Sequence, residues 1–386
     1  MTLHRPNLNL RDWFCVIGIW FSAIAGLMAD SVNKIALYIV LPIVFVLTFL
    51  YNKSLLTNRY MNLLSMLFIW ILLSVLWATS IDYAMVQVNQ ILGSFLLCFV
   101  FSALGNNNKL LPLLYLSFIL LLLSDWYYAY NNMLDIEFGV DRLNDLKLNA
   151  NTFAYHTFYA TFSIFILGEY NIGIKRIVRI LFLLMMPLSF VTALYTGSRQ
   201  LLIVQVPLIL MLLFGRYFKY VSLQKRVIAL FLVFIAIIAI SPKLLRVYNN
   251  SMLKERTELS LQEDSRMMLF KDALKVGNDH FPLGVGANNY IVYSYNHHFS
   301  HNTYLELYAN EGIIGLFIYL YLMLLFLKTQ WRRYRKTRDI MYYYFFTAGL
   351  IFAIDGFFYV FYSHLWLISF FILISTHSET YYKKLR

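Results

Sequence analysis

The feature that most constrains the fold of this chain is a succession of long apolar runs along its whole length. A helix needs about 20 predominantly apolar residues to cross the hydrocarbon core of a bilayer. The runs that approach this length cover residues 13–29, 34–51, 61–78, 86–104, 109–129, 152–168, 177–195, 200–215, 227–241, 303–327, 340–356 and 358–376. They predict an all-α polytopic membrane protein with about twelve transmembrane helices.

The composition excludes a water-soluble enzyme and a disordered tail protein. Of the 386 residues, 60% are hydrophobic and only 13% are charged, and the mean hydropathy is +0.62. Soluble domains carry about 25% charged residues. The two cysteines, Cys15 and Cys98, lie inside apolar runs and provide neither a disulfide framework nor the spacing of metal ligands.

The net charge of +12 would suggest nucleic acid as a partner if the protein were soluble. If both termini of the twelve-helix arrangement are cytoplasmic, 21 of the 32 Lys and Arg residues fall in cytoplasmic segments. Cytoplasmic loops of membrane proteins carry this excess of basic residues. We therefore attribute the charge to topology, predict cytoplasmic N- and C-termini, and exclude nucleic acid as a partner.

Two predicted outer loops are long, at about 130–151 and 242–302, and loops of this length are usually functional or disordered. Within the second, Leu269, Phe270, Ala273 and Leu274 recur at helical spacing, which predicts a short helix lying against the membrane domain. The predicted organisation is nine membrane helices in 1–241, one large catalytic loop in 242–302, and three membrane helices with a cytoplasmic tail in 303–386.

Two arginines on the predicted outer face are candidate anion ligands. Arg199 follows a Gly-Ser pair directly before the run at 200–215, where it could equally hold its charge at the membrane surface. Arg266 precedes the Pro- and Gly-containing turn at 281–286, and it could also be a solvated loop residue. A guanidinium suits a phosphate because it can bind two of its oxygens at once.

The polar segment before the run at 303–327 contains His301, a candidate general base. At 100° per residue, Tyr304, Tyr308, Gly312 and Gly315 fall on the same helical face as His301. The small residues on this face would allow a neighbouring helix to approach closely. The alternative is an interfacial histidine that hydrogen-bonds a neighbouring loop.

Two further features have a less specific interpretation. His297 and His298 lie close to His301, but three histidines without matching carboxylate spacing are weak evidence for a metal, and we predict none. Asp355 separates the last two apolar runs, in what reads as a tight hairpin at the membrane surface. An ionisable residue at membrane depth suggests function, whereas one at the surface would serve equally well as a cap or turn residue.

These residues carry a resemblance to a known family. His301 and Asn302 are followed after nine residues by Gly312-Ile313-Ile314-Gly315, which resembles the signature of the O-antigen ligase and O-antigen polymerase superfamily. These proteins are membrane glycosyltransferases of bacterial surface-polysaccharide assembly. Residues 196–199 resemble the first arginine motif of the family, and Arg266 with the turn at 282–286 resembles the second. The match covers about 196–316.

The resemblance implies a transfer reaction on the periplasmic face of the bacterial inner membrane. The donor would be an undecaprenyl-diphosphate-linked oligosaccharide, and the partners would be a glycan acceptor, the lipid bilayer and a chain-length regulator. Arg199 and Arg266 would bind the diphosphate, and His301 would be the base. The supporting residues would be Asn302, Tyr304, Glu306, Gly312, Gly315 and Asp355.

This chemistry predicts an inverting glycosyltransferase without a cofactor. Direct attack of a sugar hydroxyl on the anomeric carbon inverts its configuration. A diphosphate leaves without being protonated, so the pair of carboxyl groups that glycosidases use is not needed. Two arginines can stabilise the leaving group, so we predict no requirement for a divalent metal.

Three functions remain open on the sequence alone. A polymerase, with a second lipid-linked glycan as acceptor, is favoured by the short catalytic loop and by Ile203, which stands where the ligases often have Leu. The alternative is a ligase that joins the glycan to lipid A–core. A transporter or flippase would usually place its site near the bilayer midplane between repeated halves. Here the polar residues cluster at one mouth of the bundle.

Overall fold

The computed structural model describes residues 8–28, 30–52, 58–132, 150–169, 175–196, 198–218, 265–294 and 297–385, together with residues 249 and 254. Every regular element in these ranges is a helix. The elements are α1 (Leu10–Ala25), α2 (Asp30–Asn52), α3 (Arg59–Ser74), α4 (Ile81–Leu104), α5 (Leu111–Asn132), α6 (Ala150–Glu169), α7 (Lys175–Thr196), α8 (Arg199–Leu213), α9 (Ser265–Asp279), α10 (Tyr290–Tyr293), α11 (Thr303–Thr337), α12 (Ile340–Asp355) and α13 (Leu365–Leu385).

Several of these helices have the length and composition of membrane spans. Within the described residues, six helices qualify, namely Asp30–Asn52, Arg59–Trp77, Ile81–Leu104, Leu111–Asn131, Arg176–Ala193 and Thr303–Thr337. Two shorter apolar helices cover Ile203–Arg216 and Ile340–Asp355. The chain is therefore an all-α membrane protein. The number of twelve spans stays a prediction. The predicted apolar run at 227–241 and most of the predicted loop at 130–151 lie outside the described residues.

α13 is the central helix of the bundle. Residues 366–378 are all buried, and the helix packs against α4 and α12. A helix buried on all sides must find partners for its polar groups within the bundle. Ser369 Oγ lies 3.3 Å from Cys98 Sγ, His377 Nδ1 lies 3.0 Å from Tyr115 Oη, and Ser378 Oγ donates to Gln330 Oε1 at 2.7 Å.

α13 begins at Leu365, so the predicted apolar helix at 358–376 is wrong at its start by seven residues. The cause is Thr303, which holds the segment 356–364 in a non-helical path. Its backbone N–H donates to Gly356 O at 2.8 Å, and its hydroxyl donates to Tyr359 O at 2.6 Å. The same hydroxyl accepts from Phe361 N at 2.9 Å. Hydropathy alone could not show this tertiary contact.

The predicted helix in the large loop is confirmed, because α9 occupies Ser265–Asp279. It packs on α11 through Leu269, Ala273 and Val276, which are buried at a spacing of four and then three residues. Leu274 is 48% exposed, so the predicted apolar face is wrong at that residue. Residues 242–264 of this loop are largely outside the described residues.

Candidate functional site

His301 is presented on a tight turn immediately before α11. Its φ of +53° places it in the left-handed region. The next residue, Asn302, is the N-cap of α11, and its side-chain oxygen accepts from the backbone N–H groups of Tyr304 at 3.0 Å and Leu305 at 3.1 Å. The helix therefore begins at Thr303. The prediction that His301 lies on a continuous helical face is wrong, because the helix begins at Thr303, two residues after His301.

α11 is itself interrupted at Gly312, whose φ of +66° and ψ of −164° are not helical. The turn at 282–286 fills the interruption. Ile313 N donates to Pro282 O at 3.0 Å, and Val285 N donates to Ala309 O at 2.9 Å. A Cβ atom on Gly312 would overlap Pro282 O. The small residue thus admits a loop, and the predicted close approach of a neighbouring helix is wrong at Gly312.

Glu306 ties the His301 turn to α11. Its carboxylate is buried and accepts from Ser300 N at 2.7 Å, and its other oxygen accepts from Asn310 Nδ2 at 3.3 Å. Asn310 Oδ1 in turn accepts from Tyr290 N at 2.6 Å. A single carboxylate therefore fixes the residue that precedes His301. The predicted role of Glu306 as a supporting residue stays a prediction.

The other predicted supporting residues on α11 contact neighbouring helices. The Tyr304 hydroxyl donates to Ala353 O at 2.6 Å, which directs this side chain toward α12. A Cβ on Gly315 would lie 3.4 Å from Trp70 Cδ1 on α3. Both residues therefore secure the packing of α11, one against α12 and one against α3.

Asp355 lies at the junction of α12 with the start of α8. Its carboxylate accepts from Gln200 Nε2, and Gln200 Oε1 accepts from the Tyr155 hydroxyl at 2.9 Å. Asp355 is completely buried at the end of α12, where the helix meets the 356–364 segment, and its position at the membrane surface stays a prediction. Arg199 is the first residue of α8, and its side chain lies outside what the structure describes.

Arg266 and His301 converge on a pair of tyrosines. Arg266 lies in the first turn of α9 and interacts electrostatically with the Tyr155 hydroxyl. The Tyr155 ring centroid lies 4.9 Å from that of Tyr359, and the Tyr359 centroid lies 6.5 Å from that of His301. Through Gln200, Tyr155 also connects to the start of α8. Tyr155 thus links the start of α8 to Tyr359 and the predicted base, and Arg266 acts on its hydroxyl electrostatically.

A histidine–aspartate pair near these tyrosines was not predicted from the sequence. His156 Nδ1 lies 2.7 Å from Asp125 Oδ2, and both side chains are buried between α6 and α5. His156 also interacts electrostatically with His364. The signal was available, since ionisable residues inside apolar runs are rare and usually have a function. Tyr155, Tyr359 and Gln200 carried no such signal, because only the fold brings them together.

His364 lies in the segment 356–364, outside both flanking helices. Burial, with a further contribution from His156, lowers the pKa of His364 to about 3. The imidazole is therefore neutral at physiological pH. Its Nδ1 has no hydrogen-bond partner among the described residues.

A cavity of about 750 Å³ opens beside His301. Its walls come from the His301 turn, the 356–364 segment, α2 and α4. The lining includes His301, Glu306, Tyr359, Tyr362 and His364. In the described part of the chain, no three His, Cys, Asp or Glu side chains are grouped so that they could hold a metal ion.

The comparison with known proteins points to one family. No curated protein matches the chain significantly. Residues 182–320 match the family model described as O-antigen ligase. This match begins in α7, ends in α11, and includes Arg199, Arg266 and His301 with the turn and the helix break around them. Residues 182–320 are therefore similar to the O-antigen ligase family, which supports the resemblance to the O-antigen ligase and O-antigen polymerase superfamily that the sequence motifs indicated.

Proposed function

We propose that the chain is an inverting glycosyltransferase that transfers a glycan from a polyprenyl diphosphate, of the undecaprenyl class, to a sugar hydroxyl. The observation that carries the proposal is the chain of contacts from the start of α8 through Tyr155 and Tyr359 to His301, with Arg266 acting electrostatically on Tyr155. The family match supports glycosyl transfer at a membrane in general terms. The reaction, the donor and the roles below are our inference.

In the proposed step, His301 accepts the proton of the acceptor hydroxyl while the hydroxyl oxygen attacks the anomeric carbon. The bond from that carbon to the diphosphate oxygen breaks, and the diphosphate leaves on its lipid. Arg266 and Arg199 stabilise the negative charge of the leaving group, with help from the positive end of the α8 dipole. Because attack and departure occur on opposite faces of the sugar, the configuration inverts.

The leaving group would lie on the Arg266 side of Tyr155. Tyr155 is held by its hydrogen bond to Gln200, and Gln200 is held by Asp355. This chain of contacts fixes the start of α8, where Arg199 begins the helix. Asp355 therefore acts as a positioning residue for the diphosphate site, since its carboxylate reaches that site only through Gln200.

We favour a polymerase, whose acceptor is a second lipid-linked glycan on the periplasmic face of the inner membrane. Ile203, which stands where the ligases often have Leu, supports this choice. A ligase that uses lipid A–core is the second candidate, and it is favoured by the family description itself, O-antigen ligase. The chain-length regulator stays an expectation from the family resemblance.

The test is gel analysis of surface polysaccharide from a strain that lacks the chromosomal copy and carries plasmid variants. We expect His301→Ala and Arg266→Ala to abolish the polymeric glycan while the proteins still insert in the membrane. The matched controls are His298→Ala, an exposed histidine of the same loop, and Lys271→Ala, an exposed cation of the same helix. Normal polysaccharide from both site variants would contradict the proposal.

The same gel separates the two acceptors. Single repeat units on lipid A–core in the deletion strain indicate a missing polymerase. Long chains that remain on the polyprenyl carrier, together with unsubstituted core, indicate a missing ligase.

A further inference from the structure

We infer that the cavity beside His301 is the subsite for the sugar of the acceptor, separate from the site of the diphosphate. This inference rests on the proposed function, because it assigns the second substrate of the same reaction. The cavity volume of about 750 Å³ falls within the range of about 300–1,000 Å³ that is usual for small-molecule sites.

The charge of the cavity argues against a diphosphate as its occupant. Its lining in the described part of the chain includes no Lys or Arg, whereas it includes the carboxyl group of Glu306. His364, which also lines the cavity, is neutral because burial lowers its pKa. Anions removed from water need a paired cation. An uncharged glycan fits this lining better than the leaving group does.

The polar part of the lining matches the chemistry of a sugar. Asn89, Gln90 and Asn288 provide amide groups that can donate to and accept from hydroxyl groups. Tyr83 and Tyr359 provide aromatic faces against which the C–H faces of a sugar ring can pack. Further along α4 and α2 the lining becomes aliphatic, at Leu92, Gly93, Leu96, Leu37 and Pro42. The sugar subsite is therefore the end of the cavity near His301.

The position of the cavity relative to the two charged groups supports the assignment. His301 and Tyr359 form part of its wall. Arg266 does not line the cavity and instead interacts with Tyr155, whose ring packs on Tyr359. A hydroxyl that enters from the cavity would meet His301 first, with the diphosphate beyond the tyrosine pair.

The test compares two tryptophan substitutions on α4 in the purified full-length protein. Gln90→Trp fills the polar part of the cavity, whereas Met85→Trp adds the same bulk at a position that is 47% exposed and does not line the cavity. Two quantities are measured: binding of the phosphate-free repeat-unit oligosaccharide by saturation-transfer NMR, and KM for acceptor and donor in the transfer reaction.

We expect Gln90→Trp to weaken oligosaccharide binding and to raise the acceptor KM by about tenfold or more, a loss of about 1.4 kcal/mol, with donor KM unchanged. Met85→Trp should match wild type in oligosaccharide binding and in the KM values. A raised donor KM with normal acceptor KM, or normal values for both, would overturn the inference. If transfer survives in His301→Ala, the proposed function is refuted. Even then, weaker oligosaccharide binding in Gln90→Trp would support the sugar subsite.

Discussion

At the scale of single residues, two backbone conformations define the site. His301 and Gly312 both have positive φ, at +53° and +66°. The first turns the imidazole out of the helix that follows, and the second opens α11 to the turn at 282–286. A left-handed conformation costs a non-glycine residue about 1–2 kcal/mol, so the surrounding contacts must hold His301 in place. Glu306 and Asn302 make those contacts on either side of it.

Gly312→Ala should therefore destabilise the protein strongly. The new methyl group would overlap Pro282 O, and the residue would be forced to keep φ at +66°. Strained backbone of this kind costs of order 1–3 kcal/mol, so the Tm in detergent should fall by several degrees and transfer activity should be lost.

The matched control for that substitution is Gly26→Ala. Gly26 follows α1 with φ of −57°, and a Cβ there would meet no atom within 4 Å. Its Tm should stay within about a degree of wild type. Equal losses of Tm in the two variants would contradict the role assigned to Gly312.

The residue types of the site could be predicted from the sequence, but their contacts could not. His301, Arg266 and the glycine turn stand out because the motifs are local. Asp355 illustrates the limit, since its partner Gln200 lies 155 positions away along the chain. The sequence indicated a hairpin at Asp355, and only the packing of α8 against α12 shows that this residue is buried.

At the scale of elements, the start of α11 decides where His301 lies. Asn302 caps the helix, while Thr303 anchors it to the 356–364 segment. The two residues fix the helix start from opposite sides. The apolar run predicted this helix well, because its first residue in the structure is the first residue of the run. The helix break at Gly312 escaped prediction because glycine within an apolar run also occurs in continuous helices.

Asn302→Ala should lower kcat more than it lowers stability. Loss of an N-cap costs about 1 kcal/mol, which moves Tm by a few degrees, but it also releases the turn that carries His301. We expect kcat to fall about tenfold with KM values nearly unchanged, and Asn302→Asp, which can accept the same two N–H groups, to restore most of it. A fall in Tm without a change in kcat would limit Asn302 to a structural role.

At the scale of the whole molecule, charge separates the two ends of the bundle. Glu379 accepts from Arg59 at 2.9 Å and from Arg333 at 3.0 Å, which joins α3, α11 and α13 at the basic end. His301 and Arg266 lie at the other end of α11. The predicted topology places the first end in the cytoplasm. The sidedness of the two ends stays a prediction, which rests on the positions of Lys and Arg along the chain.

The proposed reaction also predicts activity without a divalent metal. Two guanidinium groups and a helix N-terminus supply the positive charge that the leaving diphosphate needs. Purified protein should retain its transfer rate in excess EDTA, within about twofold. A loss of rate that Mg²⁺ or Mn²⁺ restores would show that the arginines alone do not stabilise the leaving group.

The central claim is that His301 is the base of an inverting transfer. The most direct test is the transfer rate of purified full-length protein with a polyprenyl-diphosphate oligosaccharide donor, with the anomeric configuration of the product read by NMR. We predict an inverted linkage, a rate at least about 100-fold lower in His301→Ala, and a normal rate in His298→Ala. A retained configuration, or a His301→Ala rate close to wild type, would contradict the account.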